Sequence, residues 1–342
     1  MPPTLQARAQ YLDLFKTLLV WGMIPAHVVQ LLGFRLGDGA ARFSDYVNLV
    51  SFSGFMLAFG IGVGLSGRSR RPLASRLWPA AVMLASVYLS SLGFALLVER
   101  KLLTPELVID VVTFRRLFGY SEFLASFFVL YLVIALARPL LLAIAERPLV
   151  LVLAIVLCLA STTITTEQLI PFAGTIIGHR RYASFPLLPY LPWFLAGIRL
   201  GRRDGVVPPI DLALAASATA VFGWFWWRAF FTLPERFPPS VLWIVGPALF
   251  LAVYLVAARA AADWVKVPPL LLAPGRHVLA ALLLSNLSIF AVGRLWYKPA
   301  HPLWMAAAIA LAILALVTLW CAGIDGIDAT KAARRRPVAQ PA

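Results

Sequence analysis

Charge is scarce in this chain: only 13% of its 342 residues are Asp, Glu, Lys or Arg, while 61% are hydrophobic. An ordinary soluble domain carries about 25% charged residues, so a water-exposed enzyme surface is excluded. Negative charge is the scarcer sign, 15 Asp plus Glu against 30 Lys plus Arg, for a formal net charge of +15. The basic residues are scattered between apolar runs rather than gathered on one face, so no nucleic-acid partner is expected. Cysteine is limited to Cys158 and Cys321, both within apolar runs, where a thiol behaves as a small buried hydrophobe and carries no information about redox compartment. The four histidines include His277 and His301 at the ends of apolar runs, without partners at metal-ligand spacing, and no metal site is expected. Glycine-rich phosphate loops, HExxH and nucleophile-elbow motifs are missing. So are internal repeats with paired Gly/Pro-interrupted helices, which disfavours an inverted-repeat transporter.

Long apolar runs are abundant instead. They fall at 11–33, 46–66, 77–98, 122–142, 148–166, 185–201, 210–231, 240–260, 277–296 and 302–323. The reading is all-α, a polytopic membrane bundle of about ten transmembrane helices, since roughly 20 apolar residues cross the hydrocarbon core. Residues 1–323 form one membrane domain, and the polar, Arg-rich 324–342 segment is expected to be a disordered basic tail facing anionic lipid. The first run contains Asp13 and Lys16 and no small-residue cleavage site follows it, so it is expected to be retained rather than removed as a signal peptide. Lys and Arg are modestly enriched in the segments that share a side with both termini, which places the termini in the cytoplasm of a multi-pass inner-membrane protein. Between Glu99 and Glu122, Thr104-Pro105 is a helix-start signal ahead of Leu107, Val108, Val111 and Val112, predicting an interfacial amphipathic helix on the outer side. The tryptophans, Trp224, Trp226, Trp227 and Trp296 among them, suit an interfacial belt.

The first helix is the informative one. "YLDLFKTLLVWGMIPAHVVQLLG" keeps Asp13, Lys16 and His27 in an otherwise apolar span, and ionisable groups within a membrane usually mark function. At about 100° per residue, the steps from Lys16 to His27 return to within about 20° of the same face, about 16 Å along the axis. Asp13 shares that stripe, and Pro25 is expected to loosen the turn before His27. A plain reading pairs Lys16 with Asp13 at i, i+3 and leaves His27 at headgroup level. A polar cavity inside a bundle is the alternative.

The pattern Asp13, Lys16, ten residues, His27 resembles the first helix of the membrane-bound acyltransferase 3 family and its wider superfamily, which includes heparan glucosaminide N-acetyltransferases and periplasmic glucan succinyltransferases. Relatives carry Arg where this chain has Lys16. "SFSGFMLAFGIGVGLSG", "RYASFPLLPYLPWFLAGIRLGRR" and "ERFPPSVLWIVGPALFLAVYL" resemble later family segments, so the similarity extends over most of the chain. The ninth run departs from it: Val278, Leu282 and Ser285-Asn286 stand where relatives often place Ser, Tyr and His.

The resemblance implies an acyltransferase that takes an acyl group, typically acetyl, from cytoplasmic acyl-CoA (acetyl-CoA) as donor co-substrate, with no metal. The acceptor implied is a hydroxyl of a cell-envelope glycan or glycolipid. His27 is then general base or covalent acyl carrier, two roles that the sequence leaves open. Asp13 joins His27 in the catalytic set by orienting Lys16 or balancing its charge, and Lys16 holds a CoA phosphate. For the oxyanion, Arg180 and Arg181, with His179, adjoin the family-like segment and are the expected partners, ahead of Arg115 and Arg116. Two other readings compete: a carrier or flippase for a lipid-linked or small amphipathic solute, and a non-catalytic relative.

Overall fold

A computed structural model describes residues 5–32, 36–66, 72–164, 171–180, 183–295 and 302–334, the side chains of 5–9, 171 and 332–334 excepted. The basic stretch at 68–71, Arg181, Trp296, His301 and the chain beyond Arg334 lie outside the described residues. The described residues are helical and hold no β-strand. In chain order the helices are α1 (Leu5–Leu32), α2 (Asp38–Leu65), α3 (Leu73–Leu97), α4 (Pro105–Val112), α5 (Ser121–Glu146), α6 (Pro148–Ala160), α7 (Pro171–Ile177), α8 (Leu187–Gly201), α9 (Pro209–Arg228), α10 (Val241–Val245), α11 (Ala248–Trp264), α12 (Pro269–Arg276), α13 (Val278–Leu295) and α14 (Leu303–Arg334).

Among the described residues, eight helices are long and apolar enough to cross a membrane. The expected count of about ten differs from this because two of the ten runs fold into shorter helices: Pro148–Thr163 is interrupted at its end by a 3-10 turn, and α8 is 15 residues long. Pro25 sits inside α1 without ending it, although its missing N–H leaves one ladder bond unmade. α4 forms where the start signal lies: Thr104 caps it by accepting from the Leu107 amide at 3.3 Å, and Pro105 occupies the first turn. Of the expected tail at 324–342, α14 continues as helix through Arg334, carrying Asp325 into contact with the body, and the rest lies outside the described residues.

α2 is the most deeply buried span, and it is buried against α8. The two run parallel, with Gly60 facing Gly197 and Gly64 facing Gly201. A Cβ on Gly197 would stand 2.9 Å from the Gly60 Cα, and one on Gly201 would stand 3.0 Å from the Gly64 Cα. Both would overlap a facing backbone carbonyl. Only glycine permits that approach, the small-xxx-small packing that hydrocarbon favours. Beside the seam an aromatic cluster closes the centre, with Phe52 at ring distances of 5.1 Å from Phe123, 4.6 Å from Phe185 and 4.5 Å from Tyr190.

Side-chain contacts sort the chain into two ends. At one, Asp13 and Arg276 meet Asp325 through Arg276, Arg138 holds the last turn of α2 through Ser66, Arg202 pairs with Glu146, and Arg259 donates to the Asp204 carbonyl. At the other, His27 meets Tyr120, Gln30 meets Ser44, and Phe185 meets Arg236. Cysteines placed at exposed Glu235 and Lys331 should therefore be labelled by an impermeant thiol reagent from opposite faces of sealed vesicles, with buried Cys158 and Cys321 silent. Labelling of both from one face would refute this arrangement.

Candidate functional site

His27 lies on the buried face of α1, 7% exposed. Its Nδ1 donates to Oδ1 of Asn286 on α13 at 3.0 Å, because a carbonyl oxygen can only accept. The bond fixes the tautomer and leaves Nε2 as the basic nitrogen. The Tyr120 ring packs on the imidazole, centroids 4.0 Å apart. Tyr120 holds φ 66°, the left-handed region that costs a non-glycine residue roughly 1 kcal/mol or more. Its hydroxyl donates to Gln30 at 2.8 Å, and burial pushes the phenol above its ordinary value, so the donor proton is retained. Backbone strain at the start of α5 is thus spent on a ring laid against His27.

These groups line a cavity of about 290 Å³ together with Asn48, Glu122 and Arg236. Arg236 comes from the connection between α9 and α10. Its guanidinium lies 4.6 Å from the Phe237 ring and 5.3 Å from Phe185, and burial lowers its pKa below the usual arginine value. Among the described residues, Nε of Arg236 and Oε2 of Glu122 meet no hydrogen-bond partner. Unpaired polar atoms so placed are costly, and both are available to a bound molecule. A third group of residues, Gly37, Asp38, Ser44 and Asp45, extends the same space outward past Gln30, Asn48 and Arg236 as a more open polar vestibule.

Lys16 is elsewhere. It lines a second, larger cavity of about 660 Å³ with Phe55, Phe59, Arg276 and His277. The two cavities share Phe123, Leu124 and Leu282 as lining, a thin apolar partition. Lys16 pairs with Asp13 at 2.9 Å, and Asp13 also meets Nε of Arg276 at 3.4 Å. Arg276 is brought there by Gly275, whose amide donates to Thr17 Oγ1 at 2.9 Å and whose missing side chain lets α12 touch the backbone of α1. His277 donates from Nε2 to Asp325 at 2.8 Å.

The expected site is therefore divided. Asp13 is not brought to His27 and takes no part in its cavity; it belongs to the ion-pair cluster at the other end, where it holds Lys16 and Arg276. His179 is buried and Arg180 exposed, and neither lines either cavity, while Arg181 lies outside the described residues. The arginine that lines the His27 cavity is Arg236. Sequence reasoning also missed Glu122, Tyr120 and Arg276. Glu122 sits at the start of an apolar run, the same signal that singles out Asp13, and Asn286 shows in the sequence only as a departure from the family pattern. Among the described residues no group of His, Cys, Asp and Glu is placed to hold a metal ion.

Replacing Asn286 with Leu should release the tautomer. The ¹⁵N imidazole signals of His27, assigned by difference against His27→Gln, should change from one Nδ1–H form to a mixture or to Nε2–H. An unchanged spectrum would show that Asn286 does not set the tautomer. Comparisons with protein-family models, curated proteins and solved structures gave no match to this chain.

Proposed function

We propose that the chain is an integral-membrane acyltransferase that moves an acyl group, acetyl in the simplest case, from acyl-CoA to a hydroxyl of a cell-envelope glycan or glycolipid. The observation that carries this reading is the pairing of a tautomer-fixed histidine cavity with a second cavity that has two cations in its lining, with Phe123, Leu124 and Leu282 lining both. A donor with charged phosphates and a thin, mostly apolar arm matches that shape. Its phosphates meet Lys16 and Arg276, its arm occupies the larger cavity, and the thioester reaches His27, about 16 Å along α1 from Lys16. The acceptor enters from the polar vestibule of Asp38, Ser44 and Asp45.

In this scheme Nε2 of His27 takes the proton of the acceptor hydroxyl as its oxygen attacks the thioester carbonyl. The oxyanion that forms is met by Arg236, whose Nε is unpaired. Collapse breaks the carbon–sulfur bond, and the imidazolium returns its proton to the departing thiolate. Alternatively Nε2 attacks the thioester first, expelling the CoA thiolate and carrying the acyl group until the acceptor hydroxyl takes it; rapid denaturation at neutral pH after mixing with radiolabelled acetyl-CoA in the absence of acceptor separates the routes by retaining label on the protein only in the second. The two-ended arrangement also favours ten crossings. α5 ends beside Arg202 and α8 begins beside the His27 cavity, so the chain between them returns through α6. The start of α1 and the end of α14 share the Lys16 end, which the reading assigns, with both termini, to the cytoplasm of an inner-membrane protein.

Purified protein in nanodiscs, given radiolabelled acetyl-CoA with and without crude envelope glycan, should release CoA in a glycan-dependent way. His27→Ala should lower turnover by about 10²–10⁴-fold, the usual contribution of a general base, with acyl-CoA binding retained. Lys16→Ala should weaken acyl-CoA binding by about 10-fold or more through loss of a charge-assisted phosphate contact, and Lys16→Arg should restore it. Solute movement without CoA release would favour the carrier reading instead.

A further inference from the structure

The ion-pair cluster that reaches the larger cavity through Lys16 and Arg276 is electrically closed. Lys16 and Arg276 face two carboxylates, Asp13 and Asp325. The two acids are held differently. Asp13 is 14% exposed on the packed face of α1, with one oxygen on Lys16 and the other on Arg276. Asp325 is 28% exposed near the end of α14 and spans two donors, Oδ2 at 2.8 Å from Nη1 of Arg276 and Oδ1 at 2.8 Å from Nε2 of His277. Two oxygens on one centre, each accepting from a different cationic or imidazole N–H, is also how a phosphate monoester would sit there.

The element carrying Asp325 is built to let go. α14 buries a stripe of Ala306, Ala310, Ile313, Val317 and Cys321 against the bundle, and from Ala322 to Lys331 no residue is buried. Gly323 and Gly326 flank Asp325 in this stretch, and a Cβ on either would meet nothing within 4 Å. Close packing therefore does not demand them. Glycine in an exposed helix interior weakens it, so the last turns of α14 are the part of the helix most easily unwound.

We infer that Lys16, Arg276 and His277 form an anion site, with Asp325 as its resident occupant, and that a phosphate group displaces Asp325 by loosening the glycine-flanked end of α14. The ligand class is a phosphorylated amphiphile whose apolar part lies in the larger cavity. This rests on the proposed function only in assigning the phosphate to acyl-CoA; an anionic lipid headgroup has the same chemistry. Removing the resident carboxylate relieves competition, whereas a merely structural carboxylate would leave affinity unchanged or lower it.

Coenzyme A should be titrated by calorimetry into wild type, Asp325→Asn and the double variant Gly323→Ala/Gly326→Ala in phosphatidylcholine nanodiscs. Retained phosphatidylglycerol should be counted by native mass spectrometry of the same proteins. Asp325→Asn should tighten coenzyme A binding by about fivefold, the scale of relieving a partly exposed pair, and the alanine pair should weaken it by a similar factor by stiffening the occupant's helix. The alanine pair also carries the test if Asp325→Asn unfolds. If no protein binds coenzyme A, the acyl-CoA reading fails. Phosphatidylglycerol retention that rises in Asp325→Asn would then keep the anion site with a headgroup as its ligand. Equal binding of both probes by all three proteins overturns the inference.

Discussion

Close backbone approach at glycine is the constraint on which this structure depends. Helices surrounded by lipid gain little by hiding apolar side chains from one another, since the tails are equally apolar, and association rests on contact and hydrogen bonding at short range. The α2–α8 seam supplies contact through Gly60, Gly64, Gly197 and Gly201. Gly275 does the same for α12 against α1, and adds the amide bond to Thr17. Each seam positions chemistry. The first sets the aromatic cluster around Phe52 that walls the His27 cavity, and the second delivers Arg276 and His277 to Asp13 and the Lys16 cavity.

The two polar centres are sustained by different energetics. The Asp13, Lys16, Arg276 and Asp325 cluster is partly exposed, with Lys16 at 21% and Arg276 at 34%, so each pair is worth at most about 1 kcal/mol and adds little to stability. Its value is positional. Around His27 the accounting is different, because an unpaired buried polar group costs about 1–3 kcal/mol. Nδ1 is satisfied by Asn286 and the Tyr120 hydroxyl by Gln30, but Glu122 and Arg236 each retain an unpartnered atom. A fold that needed only stability would not keep them. A bound molecule that pairs with these atoms would recover their lost bonds.

The helical architecture was legible because apolar run length is a direct consequence of bilayer thickness, and the Thr104 cap because its chemistry is local. Crossing count was less so: the run at 148–166 turns polar at Ser161-Thr162-Thr163, where a 3-10 turn ends its helix, and the run at 185–201 starts its helix only after Pro186 and carries Arg199, so both form short helices. His27 and Lys16 could be singled out because helical periodicity places them on one stripe. Their partners could not, since Asn286 is 259 residues from His27 and Arg276 is 263 from Asp13 in sequence. Arg180 lies beside the "FPLLPYLPWF" segment without lining the His27 cavity, since proximity in sequence does not set which way a side chain faces.

That division explains why a stripe with Asp13, Lys16 and His27 on one helix face does not make one site. An α-helix advances about 1.5 Å per residue, so residues on a shared face are still separated by the length between them. Face alignment sets direction, and only the elements packed across it decide which groups meet. At the His27 level α1 faces α13 and the start of α5, which bring Asn286, Tyr120 and Glu122; at the Lys16 level it faces α12 and α14, which bring Arg276 and Asp325. Between the levels lie Phe123, Leu124 and Leu282, too apolar to hydrate a charge and thin enough for both cavities to touch them. A stripe built this way separates a charged group from a basic nitrogen while keeping them in line, which is the geometry needed by a ligand charged at one end and reactive at the other.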